Sequence, residues 1–482
     1  MKLIVQGGTP LYGRVRVSGA KNSSLVLMAA SAISGEEVYL DNVPRIADVK
    51  TQMEIVRALG GQVCWEDSNT LRLKWHRHLD SDIPYSLAKK LRASNLFLGA
   101  MAAKKGRIKI PLPGGCNIGS RPMDLHLKGL SMLGFDVCLE HGYIEARPGK
   151  LKGCSIYLDF PSVGATENIM MAAAGTPGTT VIENAAKEPE IVDLANFLNA
   201  MGAGTDLIII DGVMEFKGTR FSVIPDRIEA GTYMIAAGVA GGEVTVENVI
   251  VKHLQPVIAK LQDVGLSVEA NEDQITVKRT GDIAATDIKT LPYPGFPTDL
   301  QSPMMVLLAL ARGTSMIVEN VFENRFQVAD ELKRMGAKIQ VKGHTAVIEG
   351  GEGLSGAQVK APDLRAGASE ELTGLKPHKI AQKGIGRTFQ NIKLFGNLTV
   401  FNNILTVAQV GSHYSLIDGF LRNKKCRHWE NELNQTTNDI IDRIGISKYS
   451  KILTSNLSYG VQRRVEIARA LALKPKLLLL DE

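Results

Sequence analysis

The chain has 482 residues, 44% of them apolar and 22% charged, which predicts two to four domains of about 100 to 200 residues and excludes a lone small module, a disordered chain and a membrane bundle. Its net charge of +6 is uneven: residues 370–482 hold 17 Lys/Arg against 10 Asp/Glu, leaving 39 against 40 for residues 1–369, and the basic part has only Lys424, Lys425 and Arg427 clustered, so no nucleic-acid partner is expected. Five scattered cysteines (Cys64, Cys116, Cys138, Cys154, Cys426) without a C-x-x-C pair argue against a disulfide framework or a thiolate metal site and for a cytoplasmic location, and no export signal or membrane-inserting run of about 18 apolar residues is found.

Taken in chain order, the elements repeat. A glycine leading into a short strand, often closed by Asn, recurs as GEEVYLDN from Gly35, GRIKIPL from Gly106, GTTVIEN from Gly178, GEVTVEN from Gly242 and GTSMIVEN from Gly313. Each follows an Ala/Met/Leu-rich segment of helical length, so the glycine reads as a helix C-terminus. A second, amphipathic helix follows and ends at Gly60, Gly134, Gly202, Gly265 or Gly336, and four of these lead into two strands around a turn. The unit is helix, strand, helix, hairpin. In the third unit NAMGAGTDLIII offers only one strand, which reads either as a lost strand or as a shortened loop. A sixth unit opens at PDLRAGAS (362–369) and does not continue past Ser369.

Several Ala-rich helices begin on a cation: Lys21, Arg92, Arg227 and Arg365. A basic side chain at the positive end of a helix makes an anion site rather than a better helix; the alternative is ordinary ion pairing. In PLPGGCNIGSRPMDLH (111–126), glycines and Arg121 surround Cys116, a setting in which a thiolate is favoured and the thiol can serve as acid, base or nucleophile; alternatively it is a small buried hydrophobe. Asp299, in PGFPTDLQSP, stands at a helix start, where it can cap the helix, take a proton from a hydroxyl, or do both.

Together SGAKNSSL, LRASNLFLG, PGGCNIGSRPMDLH, PSVGATENIM, PDRIEAGT, PGFPTDLQ, FENRF and DLRAG resemble the enolpyruvyl transferases over residues 1–369, and the Gly-Gly-Cys loop places the likeness on the branch acting on UDP-N-acetylglucosamine. The resemblance implies an α/β fold of two domains built from βαβαββ units, residues 1–20 with 223–369 and residues 21–222, the sixth unit being truncated. It implies transfer of the enolpyruvyl group of phosphoenolpyruvate to the 3′-hydroxyl of UDP-N-acetylglucosamine with release of phosphate, the first committed step of peptidoglycan synthesis, with no metal or other cofactor. Lys21, Asn22, Arg92, Arg121 and Arg365 would hold the phosphate and carboxylate of phosphoenolpyruvate, with Cys116, Asp299, Lys21 and Arg365 as the catalytic set. Cys116 would protonate the methylene carbon and Asp299 take the hydroxyl proton. Arg121, Pro122, Met123, Asp124, Leu125, Ser162, Val163, Gly164, Asp299, Val321 and Arg325 would line the uridine and sugar sites. A further family arginine beyond Arg365, worth about 1.5 to 3 kcal/mol as a charge-assisted contact, has no counterpart here.

Residues 370–482 resemble part of an ABC-transporter ATPase, closest to the branched-chain amino acid importer type. Gln390 in GIGRTFQNIKLF matches the Q-loop; Ser458, Gly460 and Gln462 in NLSYGVQRRVEIARAL match the signature loop; Asp481 and Glu482 end KPKLLLLDE as the Walker B acids. Residues 401–455 would be the helical subdomain that meets a transporter membrane subunit. The phosphate loop G-x-x-x-x-G-K-[ST] occurs nowhere in the sequence, which implies a fragment that does not hydrolyse ATP. The join near residue 369 leaves a second reading of the whole chain, a catalytically inactive fusion.

Overall fold

The computed structural model describes residues 7–75, 82–105, 107–112, 123–206, 208–351, 353–359, 385–387, 394–395, 397–408, 424–457, 459–472 and 477–479. Of the expected site residues, Cys116, Arg121, Pro122, Arg365, Gln390, Ser458, Asp481 and Glu482 lie outside these. The chain divides into two compact units, Gly8–Ser369 and Glu370–Glu482 with Met1–Gly7.

In the larger unit one sheet plan recurs. The strand after each repeat glycine is central, with a parallel strand on one side and the antiparallel hairpin on the other. Thus Leu11–Arg16 runs parallel to Gly242–Glu247, which pairs with Gln274–Lys278 and through it with Ser267–Ala270. The same order joins Thr219–Ser222, Glu37–Asp41, Leu71–Trp75 and Gly61–Trp65, and Ile288–Lys289, Gly313–Val318, Thr345–Gly350 and Lys338–Lys342. In the three-stranded sheet of Ile108–Pro111, Tyr143–Pro148 and Phe135–Glu140, a single parallel bridge from Asp82 to Lys109 stands where the parallel strand would be.

The recurring Asn has a physical cause. Asn42, Asn184 and Asn248 turn the chain through the left-handed region at φ 59°, 56° and 60°, which Asn tolerates better than most residues. Their amides donate to the carbonyls of Val223, Leu158 and Val17, and Asn320 donates to that of Thr290. Each therefore ends its own strand and occupies a carbonyl beyond the parallel neighbour. The second-helix glycines 60, 134, 202, 265 and 336 all have positive φ, the helix C-terminal conformation that a Cβ penalises.

The third unit corrects the lost-strand expectation. Gly204–Asp206 and Ile209–Asp211 form an antiparallel hairpin, and the latter continues onto Thr179–Glu183. Both strands survive at three residues each, which is short enough that alternation in the sequence shows only one.

Two cores result. One draws on residues between Ala20 and Val223, the other on Val17 and residues from Ile228 to Ile348. Two chain segments connect them side by side, with Gly19 bridged to Pro225 and Asp226 N–H donating to the Ser18 carbonyl. In the first core the Ala-rich helices Lys21–Ala30 and Val163–Ala174 are buried nearly all round, as expected of helices apolar on every face. Helix Phe97–Lys105 approaches Val163–Ala174 so closely that a Cβ on Gly99 would stand 2.1 Å from the Asn168 carbonyl oxygen. Backbone cannot yield as a flexible side chain does, so Gly99→Ala is expected to destabilise the unit by about 1 to 3 kcal/mol. Urea unfolding checks this, and an unchanged midpoint would contradict it.

In the smaller unit, helices Val400–Ala408, Lys424–Ile444 and Tyr459–Ala472 share a core that includes Val400, Ile404, Ile441, Val465 and Ala468. Buried Asn403 fastens the segment ahead of its own helix, donating to the Phe395 and Leu398 carbonyls while accepting from Phe395 N–H. Strand Leu477–Leu479, the apolar run of KPKLLLLDE, pairs in parallel with Ile385–Arg387. Among the described residues no helix is long and apolar enough to cross a membrane.

Candidate active site

Lys21 is the first residue of a helix that has no side-chain cap of its own. Its N–H is taken instead by Asp226 Oδ2 at 3.1 Å, while Asp226 Oδ1 caps the next lobe's helix through Ile228 and Glu229 N–H at 2.8 and 3.1 Å. One carboxylate thus caps both cation-bearing helices, Lys21–Ala30 and Arg227–Ala240. Both cations are ion-paired: Lys21 Nζ lies 3.0 Å from Asp48 Oδ2, and Arg227 Nη2 lies 3.5 Å from Glu190 Oε2. For Lys21 and Arg227 alike, the ion-pairing alternative is therefore the one observed. The Arg227 guanidinium also covers the Tyr293 ring, while Tyr293 N–H donates to Glu188 at 3.4 Å, so the two lobes are pinned beside the site. Asn22 is exposed at the same helix start.

Three further helix starts converge in the first lobe. Arg92 opens the turn Arg92–Leu96, and Arg92 Nη2 and Asn95 Nδ2 lie 4.0 and 3.6 Å from the Met123 sulfur. Met123 precedes helix Asp124–Met132, on which Asp124 is exposed and Leu125 half-buried against the core. Ser162 caps helix Val163–Ala174 through Ala165 N–H. Gly164 faces His126, whose Cε1 would stand 3.1 Å from a Cβ there. The structure thus brings together Arg92, Met123 and Gly164, flanked in sequence by Asp124, Leu125, Ser162 and Val163.

The second lobe supplies Asp299, Val321 and Arg325. Asp299 lies in the helical turn Thr298–Leu300 ahead of helix Gln301–Ala309, whose N-cap position is taken by Leu300. Asp299 Oδ1 accepts from Arg325 Nη2 at 2.6 Å. Arg325 is 3% exposed, lies over the Phe322 ring, and has Nε and Nη1 without hydrogen-bond partners. Fully buried Glu319 organises both segments: it accepts from Thr290 and Thr298 hydroxyls at 2.8 and 2.9 Å and from Val321 and Phe322 N–H at 2.9 and 3.1 Å. A partly exposed carboxylate held by a buried guanidinium is suited to receive a hydroxyl proton.

Sequence reasoning missed Asp226, Glu190 and Glu319 as site-building residues. The signals were present: Asp226 stands immediately before a helix, the preferred capping position, and Glu319 precedes the repeat Asn320 as Glu183 and Glu247 precede theirs. In the tail, Gln462 donates to the Thr454 and Leu457 carbonyls, both at 3.0 Å, and Gly460 is exposed. Among the described residues no group of three or more His, Cys, Asp or Glu could hold a metal, and Cys64, Cys138 and Cys154 are free thiols.

Burial raises several carboxyls behind the site. Glu167 is raised well above the usual range, by burial first and then by Glu190 and Glu188. Burial pushes Asp193 up to about 6 against the opposing hydrogen bonds of Ser23 and Ile224 N–H. An acid with a raised native pKa binds its proton more tightly when folded, so its contribution falls as pH rises from the unfolded value near 4 through about 6. Asp193→Asn is expected to flatten stability over that window and to raise it at pH 7 by about 2 kcal/mol. Thermal melts from pH 4 to 7 check this; parallel curves for the two proteins would refute it.

The model of the family described as EPSP synthase (3-phosphoshikimate 1-carboxyvinyltransferase) matches residues 5–392, and that of the ABC transporter family matches residues 356–482. UDP-N-acetylglucosamine 1-carboxyvinyltransferase 1 of Caldanaerobacter subterraneus subsp. tengcongensis is 55% identical over 379 residues, 78% of this chain and 91% of its own. UDP-N-acetylglucosamine 1-carboxyvinyltransferase 2 of Carboxydothermus hydrogenoformans is 52% identical over 390 residues, 80% and 93%. Among solved structures, the enolpyruvyl transferase NikO from Streptomyces tendae shares the fold with TM-score 0.65 at 23% identity, covering 72% of this chain and 83% of its own.

Proposed function

The chain belongs to the EPSP synthase family of carboxyvinyltransferases, and from that premise we propose that it transfers the enolpyruvyl group of phosphoenolpyruvate to the 3′-hydroxyl of UDP-N-acetylglucosamine. The observation that carries this reading is the identity with curated transferases of that substrate over nine-tenths of their length. The Asp299–Arg325 pair supports it. Cys116 delivers a proton to the methylene carbon of the enol, and Asp299 accepts the hydroxyl proton as the sugar oxygen bonds to the adjacent carbon. The carbon–oxygen bond to phosphate then breaks and the new methyl group gives a proton back, restoring the double bond. Lys21, Arg92, Arg121 and Arg365 neutralise the anion, a task for which fixed cations are effective. For Lys21 this means exchanging Asp48 for substrate.

For the C-terminal unit, the ABC transporter match supports a surface for a transporter membrane subunit, and free, scattered cysteines support a cytoplasmic location. The test of the main reading is phosphate release by the full chain given phosphoenolpyruvate with and without UDP-N-acetylglucosamine, beside Cys116→Ala. Sugar-dependent release that the variant loses is expected. No release from a protein that melts cooperatively would overturn the reading in favour of an inactive fusion.

A further inference from the structure

Three helix starts, two that the functional reading assigns to the sugar nucleotide and one that follows the phosphoenolpyruvate cation Arg92, meet at one buried amide. Asn168 is fully buried on helix Val163–Ala174. Its Oδ1 accepts Gly99 N–H at 2.7 Å, in the first turn of helix Phe97–Lys105, where backbone N–H groups lack intrahelical partners. Its Nδ2 lies 3.1 Å from the Gly164 carbonyl and 3.0 Å from His126 Nδ1, on helix Asp124–Met132. Arg92 and Asn95 lead into the first of these helices, Met123 into the third, and Ser162 into Asn168's own.

The amide's orientation follows from chemistry. Gly99 N–H can only donate and the Gly164 carbonyl can only accept, so oxygen must face the first and NH₂ the second. The remaining amide hydrogen points at His126 Nδ1, which must then accept, leaving the imidazole neutral with its proton on Nε2. His126 is 3% exposed, and burial, with Arg92 nearby, lowers its pKa to about 3. The ring edge carrying Cε1 and Nε2 lies against Gly164.

We infer that Asn168 is a positioning residue for the sugar-nucleotide end of the site, holding these three helix starts in register and setting the tautomer of His126. It acts through other groups and is not itself catalytic. The inference rests on the functional reading for the ligand and on hydrogen bonding alone for the tautomer.

The test uses the full chain, with UDP as calorimetric probe, steady-state KM for each substrate, and nitrogen-15 spectra of the histidines without ligand. Asn168→Asp keeps the shape and the acceptor for Gly99 but removes both donors. It is expected to weaken UDP binding and raise the KM for UDP-N-acetylglucosamine about tenfold, to change the KM for phosphoenolpyruvate less than about twofold, and to move the His126 proton to Nδ1. His126→Phe, which keeps the ring and loses the acceptor, should weaken UDP binding in the same direction and serves if the first variant does not fold. UDP affinity unchanged in a folded variant, or a native His126 protonated on Nδ1, would overturn the inference. A native chain without UDP affinity would instead overturn the functional reading, while the spectra would still decide the tautomer.

Discussion

Asp299→Asn is expected to lower kcat about a thousandfold, within the range attributed to a positioned general base, with little change in the KM for phosphoenolpyruvate. The amide keeps an oxygen for Arg325 Nη2, which now lies 2.6 Å from Asp299 Oδ1, but it cannot accept the hydroxyl proton. Arg325 is almost fully buried and loses its counter-charge, so a stability loss of about 1 to 3 kcal/mol should accompany the effect. Steady-state kinetics beside a thermal melt separate the two. A folded variant retaining more than a tenth of native kcat would remove Asp299 from the role of base.

Glu319→Ala is the substitution expected to harm the second lobe most, by about 4 kcal/mol. The carboxylate receives four hydrogen bonds, two from threonine hydroxyls and two from the N–H groups of Val321 and Phe322. Truncation leaves the buried Thr290 hydroxyl and three part-buried donors without this acceptor, and an unmet buried donor costs more than a made bond contributes. Glu319→Gln should cost only about 1 kcal/mol, because three of the donors share Oε1 and the Thr298 hydroxyl facing the other atom can rotate to accept. Urea unfolding of both variants decides the matter. Equal losses would show that side-chain volume, not hydrogen bonding, sets the effect.

The two substitutions act on neighbouring groups by different physics. Thr298, one donor to Glu319, adjoins Asp299, so Glu319 fixes the segment from which the base is presented. A kinetic defect in Glu319→Gln that leaves the phosphoenolpyruvate KM unaltered would report this positioning.

Much of the fold was legible because its determinants are local. Gly60, Gly134, Gly202, Gly265 and Gly336 mark helix ends through a backbone conformation that only neighbouring residues govern. Asn42, Asn184 and Asn248 mark strand ends for the same reason. The third hairpin was not legible, since three-residue strands such as Ile209–Asp211 are too short to show alternation and form because Thr179–Glu183 offers an edge. In the candidate site, residue types at helix starts could be read directly, Lys21, Arg92 and Asp299 among them. Their partners could not.

The sequence by itself determined the repeat, the family and the residue types at the helix starts of the candidate site, because propensity, turn chemistry and motif spacing act over a few positions along the chain. Tertiary structure alone decided what each charge meets: Asp48 beside Lys21, Glu190 beside Arg227, Arg325 beside Asp299, and Asn168 between Gly99 and His126. Those pairings join residues that are distant in sequence, and they are set by how buried helices and sheets pack as a whole, a sum over many weak contacts that no local pattern records.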